Sequence, residues 1–521
     1  MVDNIPRPAQ TATVLRRDST ATGHRWPVLA TLLVVIVAAG CSGGPGAAGS
    51  SGPGHTSSFG ALDVPAQRQA YTTDQSSPVL HDTETNALVP QGHRLFAATD
   101  QWEYPGPNAY GQILVKEKAS APWRVFEQTQ GLRVQALDSF SIPADQGLAL
   151  GRSLLVTQAV LHGRSEVQWA LDGAQAFAPG DSYGLSAASD DVRAFGAHEA
   201  NGRWAVYAGV NPTGILRGVW SPQSHTLVFD PTPELTVPSA APGVPAQKVT
   251  GFANCAGALY ATINSNLYRR NDGALPAGVP RWELVYKEPP VGAHNSGLRG
   301  ITCVSHQGLP SLLVSTEGNG NVYRFDRLPS GQIDATGTTV APWVPVLEFS
   351  PIPAIRHMLE KSGTTVPASD AGSIGYVIAA YNNGDFQTVQ PDGKTRQVVG
   401  FEWGYVGSCP TTRTCGPSAF GAIHFDAAAC FAVRTAAASA PTYQIRCLSG
   451  PDFTLSGEVS NPIRSGQAFV SIRTIVPSPF GDRRLYYGGY DCNFHPADGT
   501  AWVATSTLGA IHLGAAGRTV R

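Results

Sequence analysis

Arginine recurs in one local setting along this chain, after an apolar residue and before a β-type segment. The copies are Leu132-Arg133-Val134, Val192-Arg193-Ala194, Leu298-Arg299-Gly300, Ile355-Arg356-His357 and Ile472-Arg473-Thr474. A degenerate copy, Thr250-Gly251-Phe252, lacks the arginine. A guanidinium offers a planar fork of donors that grips a carboxylate or phosphate bidentately. Arg133, Arg193, Arg299, Arg356 and Arg473 are therefore candidate ligand-binding residues for a carboxylate, a phosphate or an acidic sugar. The same pattern also suits a staple, in which each arginine pairs with a carboxylate or carbonyls of the adjacent repeat. The sequence leaves both roles open.

Oxygen-bearing side chains follow the same segments. Asp138 comes five residues after Arg133, Glu317 lies in "STEGNGNVYRF", Asn382 in "YNNGDF" and Asp491 in "GGYDCNFHPADGT". Scattered oxygen donors suit a hard cation, so Glu317, Asn382 and Asp491 are the metal candidates and Ca²⁺ the cofactor to test. Hairpin turns demand Asn, Asp and Gly on their own account. Histidines are dispersed. His198-Glu199 is not followed by the second histidine of an H-E-x-x-H zinc motif, no G-x-S-x-G elbow occurs, and "GNGN" has no lysine or helix behind it. No catalytic set is legible.

Besides Cys41 the chain has seven cysteines, an odd number, so one should stay free or pair outside the chain, and none forms a C-x-x-C pair, which argues against a zinc site. Cys430 and Cys447 bracket "FAVRTAAASAPTYQIR", a hairpin whose ends would face each other. Cys409 and Cys415 enclose a five-residue loop, "PTTRT". Cys255 and Cys303 occupy similar places in successive repeats, so neighbouring strands would bring them together. All three pairs are disulfide candidates.

The elements that must position these residues are short strands. A second recurring element ends in Arg217, Arg269 and Arg324, spaced 52 and 55 residues apart. Apolar runs such as "RWAVYAGV", "ALYATI" and "SLLVST" precede it, and "TLVFD", "RWELVY" and "WVPVLEF" follow it. Each unit of roughly 55 residues thus offers three or four strands split by Gly, Pro and Asn turns. Such a unit resembles a β-propeller blade. One four-stranded sheet cannot cover both its faces, so blades stack around an axis. The resemblance implies an all-β fold of seven blades over residues 61–521, with six or eight as alternatives. The last strands are expected to complete a sheet with the N-terminal segment "HRLFAATDQW". In a propeller the repeated arginines would circle one mouth of the central channel. "IRHMLEKS" offers one or two helical turns.

Ahead of this domain, Arg16, Arg17 and Arg25 precede an uncharged run from Val28 to Ala39. Such a run is too short to cross a bilayer as a helix, and basic flank plus apolar core plus small residues reads as a secretory signal. Ala38-Ala39-Gly40-Cys41 resembles the lipobox of bacterial lipoproteins, with alanine where leucine is usual. The resemblance implies acylation of Cys41 (lipidation) after removal of residues 1–40 as a signal peptide. Residues 41–60 are Gly/Ser/Pro-rich and read as a flexible tether. Expected localisation is the cell envelope, lipid-anchored on the extracytoplasmic side, in the outer membrane where the cell has one. More than one acyl chain is what stable anchoring requires.

Composition agrees. Of 521 residues, 57 are glycine and 40 proline, which suits many turns rather than helices. A formal net charge of −2 excludes a basic field for nucleic acid. The expected function is a lipid-anchored binding or scaffold module for an envelope protein, a glycan or an anionic ligand. The alternative is a Ca²⁺-dependent propeller hydrolase or lactonase, by likeness of architecture and residue type alone. A quinone-dependent dehydrogenase ranks last, because lysine is scarce in the domain.

Overall fold

The computed structural model describes most of the chain between Glu84 and Leu508. The longer stretches outside the description are 1–83, 101–110, 186–190, 237–247, 289–296, 327–344, 354–375, 380–385, 407–415, 425–429, 436–440, 448–468, 492–501 and 509–521. Cys41, Arg356, Asn382, Cys409 and Cys415 fall there, as does "IRHMLEKS".

Seven small antiparallel sheets form a seven-bladed β-propeller. Blade 1 runs Glu84–Gln91, Arg94–Asp100, Gln112–Lys116 and Arg124–Gln128. Blade 2 has Leu137–Ser141, Ser153–Leu161 and Arg164–Leu171, with a bridge from Val167 to Asp181. Blade 3 has Asp191–Ala200, Arg203–Asn211, Gly214–Ser221 and Thr226–Phe229. Blade 4 has Val249–Cys255, Ala258–Ile263, Asn266–Arg270 and Trp282–Lys287. Blade 5 has Gly297–His306, Leu309–Gly318, Val322–Phe325 and Val346–Phe349. Blade 6 has Gln387–Val389, Arg396–Val406, Cys430–Thr435 and Thr442–Cys447. Blade 7 has Phe469–Pro477, Arg484–Asp491 and Trp502–Thr507.

The first two strands of blades 3, 4 and 5 are joined by two-residue turns: Asn201-Gly202, Ala256-Gly257 and Gln307-Gly308. All six residues have positive φ, between 50° and 79°. That is the geometry whose twist matches the flanking strands, and it favours glycine at the second place.

Apolar side chains meet between blades. Val192, Phe195 and Trp204 of blade 3 pack on Leu154, Val156 and Val167 of blade 2. Val249, Leu259 and Ile263 of blade 4 pack on Ala205, Tyr207 and Ile215 of blade 3. Blade 7 meets blade 1 through Val476, Tyr486 and Val503 against Leu88, Leu95, Leu114 and Trp123. Each blade thus covers its neighbour, as the isolated-sheet argument requires.

One expectation is corrected. The segment around Arg94–Asp100 does not complete the last sheet. It is the second strand of a blade built from residues 84–128, and blade 7 touches blade 1 in backbone register only at Glu84 and Tyr490. Arg94–Asp100 is wholly buried along its length and pairs on both edges within its own blade, so it has no edge left to offer.

Candidate ligand site at the propeller axis

The repeated arginines occupy a specific backbone device. The register skips Arg193 between Val192 and Ala194, Arg299 with Gly300 between Leu298 and Ile301, and Arg473 between Ile472 and Thr474. Each is the unpaired residue of a β-bulge on an innermost strand, and a bulge re-aims its side chain. Thr250 holds that place in blade 4 and Asn86 in blade 1. Arg133 differs. It precedes the inner strand of blade 2 and bridges to Asp100 of blade 1, whose Oδ1 accepts the Val134 amide at 2.6 Å.

The bulged arginines are buried and paired with carboxylates. Arg193 Nε lies 3.2 Å from Asp191 Oδ2. Arg299 is bonded to Glu317, and both are buried. Arg473 Nε lies 3.2 Å from Glu84 Oε2 across the junction of blades 7 and 1. Glu317, a metal candidate, thus holds a guanidinium. Asp491 ends a strand of blade 7 opposite Phe469. Among the described residues no group of three or more His, Cys, Asp and Glu gathers as metal ligands would.

Polar side chains, two of them from bulges, latch successive inner strands around the axis. Asn86 Nδ2 donates to Val134 O and Gln135 O, joining blades 1 and 2. The Phe195 amide donates to Asp138 Oδ2 at 3.3 Å, joining 2 and 3. Thr250 Oγ1 donates to Leu298 O at 2.8 Å, joining 4 and 5. The Phe386 amide donates to Thr302 Oγ1 at 3.0 Å, joining 5 and 6. The Leu88 amide donates to Thr474 Oγ1 at 3.1 Å, joining 7 and 1. Cys255 and Cys303 form a disulfide between the inner strands of blades 4 and 5. Cys430 faces Cys447 across its hairpin and is disulfide-bonded.

These strands enclose a cavity of about 310 Å³. Its walls come from the inner strands of blades 2 to 5: Asp138 and Phe140, then Phe195 to Ala197, Phe252 to Asn254, and Ile301 to Cys303. Gly196 makes the close fit possible, because a Cβ there would stand 2.5 Å from the Phe252 Cβ. Its surface is shared about evenly between polar and apolar atoms, with Asp138, Asn254 and Thr302 beside the phenylalanines.

Different chemistry flanks the cavity at the two ends of the strands. Near their starts lie Asp191, Arg193, Lys248, Arg299 and Glu317. Burial and the guanidinium groups of Arg193 and Arg299 bring the Lys248 amine down to about 7, against the opposing pull of Glu317 and Asp191. Toward their ends, His198 joins blades 3 and 4. Its Nδ1 lies 2.6 Å from Asn254 Oδ1 and its Nε2 2.7 Å from Asp272 Oδ2. Burial works to raise the Asp272 carboxyl, but the His198 hydrogen bond and the charges of His198 and Arg270 hold it below the usual range. Arg270 also grips Glu234 through Nε at 2.9 Å and Nη2 at 3.0 Å.

The sequence pointed to Arg193, Arg299, Arg473 and Glu317 but not to their pairing partners. It missed Lys248, which lies in no repeat, and the cavity phenylalanines. Phe195 and Phe252 each stand two residues after a bulge position, a spacing that offered a signal.

No family model matches this chain, and no curated protein matches it. Solved structures are similar to it at low identity. The extracellular domain of a hybrid two-component system from B. thetaiotaomicron matches at 11% identity and TM-score 0.40, over 87% of this chain and 40% of that one. This chain therefore spans well under half of that structure's length. The Dos1 propeller matches at 10% identity and TM-score 0.39, over 82% of this chain and 94% of that one. An alpha-L-arabinanase of Penicillium chrysogenum, complexed with arabinobiose, matches at 12% identity and TM-score 0.33, over 61% and 93%.

Proposed function

We propose that this protein is a lipid-anchored binding module of the bacterial cell envelope whose propeller seats a glycan in its axial cavity. The observation that carries the reading is the cavity itself. Phe140, Phe195 and Phe252 line it, and Asp138, Asn254 and Thr302 supply polar atoms beside them. A concave seat that offers polar and apolar surface in about equal measure suits a sugar, which carries both hydroxyl groups and C–H faces. The buried Arg473–Glu84 pair serves as a staple between adjacent blades, whereas Arg193–Asp191 and Arg299–Glu317 each lie within one blade.

Anchoring rests on the lipobox-like Ala38-Ala39-Gly40-Cys41 and the tether that follows. A tether of this composition would hold the propeller off the membrane and leave its channel open to envelope glycans.

Two experiments test the two halves. Purified protein on a glycan array should bind a defined saccharide class, and Phe140→Ala, checked for folding by circular dichroism, should lose at least tenfold in affinity. Unchanged binding by a folded Phe140→Ala variant would overturn the cavity reading. Separately, cells fed radiolabelled palmitate should label the wild-type chain and not Cys41→Ala, with the variant released from the membrane fraction. Equal labelling of both would overturn the anchor.

A further inference from the structure

We infer that Lys248, with Arg193 and Arg299, forms an anion subsite at the channel mouth next to the axial cavity, and that its ligand carries both a carboxylate and hydroxyl groups, as a uronic acid does. The inference rests on the glycan reading above and narrows its ligand to an acidic saccharide.

Position is the first support. Lys248 immediately precedes the inner strand of blade 4, between the strands that carry Arg193 and Arg299. Both arginines are bulge residues, two positions before cavity residues Phe195 and Ile301. Two residues of strand span roughly 7 Å, so the backbone that carries Arg193 and Arg299 lies about one sugar ring from the cavity wall.

Unused capacity is the second. Arg193 and Arg299 each hold a carboxylate, Asp191 and Glu317. Lys248 is partly buried, and among the described residues no hydrogen bond or ion pair reaches its Nζ. Asp191 Oδ1 is buried and likewise has no hydrogen-bond partner among them. An amine without an acceptor and a carboxylate oxygen without a donor, in one cluster, match a ligand that brings a negative group and a hydroxyl together.

Proton linkage follows from the same neighbours. Among the described residues the charged groups that act on Lys248 are Arg193 and Asp191 from blade 3 and Arg299 and Glu317 from blade 5. Burial and the two guanidinium groups bring the amine down to about 7, against the opposing pull of Glu317 and Asp191. A bound carboxylate would favour the ammonium form, so binding takes up a proton and weakens as pH rises through neutrality.

Isothermal titration of the purified protein with D-glucuronate and D-glucose, at pH 6 and pH 8 in two buffers of different ionisation enthalpy, tests this. The expected result is about tenfold tighter glucuronate binding at pH 6 than at pH 8, with net proton uptake at pH 8 and little pH effect on glucose. Lys248→Met should lose the preference for glucuronate. Lys248→Arg should keep the preference and lose its pH dependence. Equal affinity for the two sugars at pH 6, or a Lys248→Met protein that still prefers glucuronate, overturns the inference. Equal affinity with both sugars bound leaves the cavity reading standing. If no saccharide binds, the cavity reading fails, and inorganic phosphate becomes the probe. Phosphate binding that is pH-dependent and lost in Lys248→Met would support the anion subsite alone, and its absence would overturn that too.

Discussion

Arg473 of the last blade and Glu84 of the first lie 3.2 Å apart, with side chains only 5% and 3% exposed. This buried pair closes the ring where the two ends of the domain meet. The Leu88 amide reaches Thr474 Oγ1 beside it, and Leu88, Val476 and Tyr486 pack below. Among the described residues the two blades also meet in backbone register at Glu84 and Tyr490, and the buried side chains add to that contact.

Breaking one half of a buried pair strands the other charge. Glu84→Ala is expected to cost about 3 kcal/mol and to lower the thermal midpoint clearly. Glu117→Ala, which removes the exposed partner of Arg124, should change stability by less than about 0.5 kcal/mol. Thermal scans of the two variants at one pH and salt concentration make the comparison. Equal effects would mean that Arg473 and Glu84 do not close the ring.

The disulfide between Cys255 and Cys303 spans 48 residues and links two inner strands. Loop-closure entropy puts its worth at about 4 kcal/mol. Cys255→Ser with Cys303→Ser should lower the thermal midpoint, and reductant should then have less further effect than on the wild type. Cys255 is buried, so reduction of the native protein should be slow without denaturant.

Acid stability depends on Asp272. Its carboxyl is held low by His198 and Arg270 despite burial. A group depressed in the folded state contributes stability that is complete above its unfolded value, about 3.9, and is lost as pH falls through the lower folded value. His198→Gln removes part of that depression and should move the acid unfolding midpoint to higher pH. An unchanged acid limb would contradict the role assigned to this contact.

Lys248 gives a pH slope of the same sign in a higher window. Its folded value of about 7 lies below the unfolded value of about 10.4. The unfolded chain then binds more protons between these limits, so stability should rise with pH across that window. Lys248→Met should flatten the rise and be more stable than wild type at pH 7. Denaturant titrations at pH 7 and pH 9.5 measure it.

Much of this was legible in the chain because a propeller repeats its solution to one problem. The arginine pattern and the spacing of Cys255 and Cys303 survive as near-equivalent places on successive inner strands, and turns such as Asn201-Gly202 mark the hairpins. The bulge was not legible, because an extra residue on one strand shows only against its partner strand. Thr250 fills in blade 4 the place that arginine fills in blades 3, 5 and 7, so the geometry is kept where the residue type is not. Lys248, and the contact between His198 and Asp272, depend on neighbours brought together from different blades, and no local spacing encodes such meetings.

The most direct measurement is a crystal of the protein soaked with the strongest saccharide from the array. The account predicts electron density for a sugar ring in the axial cavity, against Phe140, Phe195 and Phe252 and beside Asp138. Saccharide density confined to the outer strands, with the cavity holding only water, would contradict it.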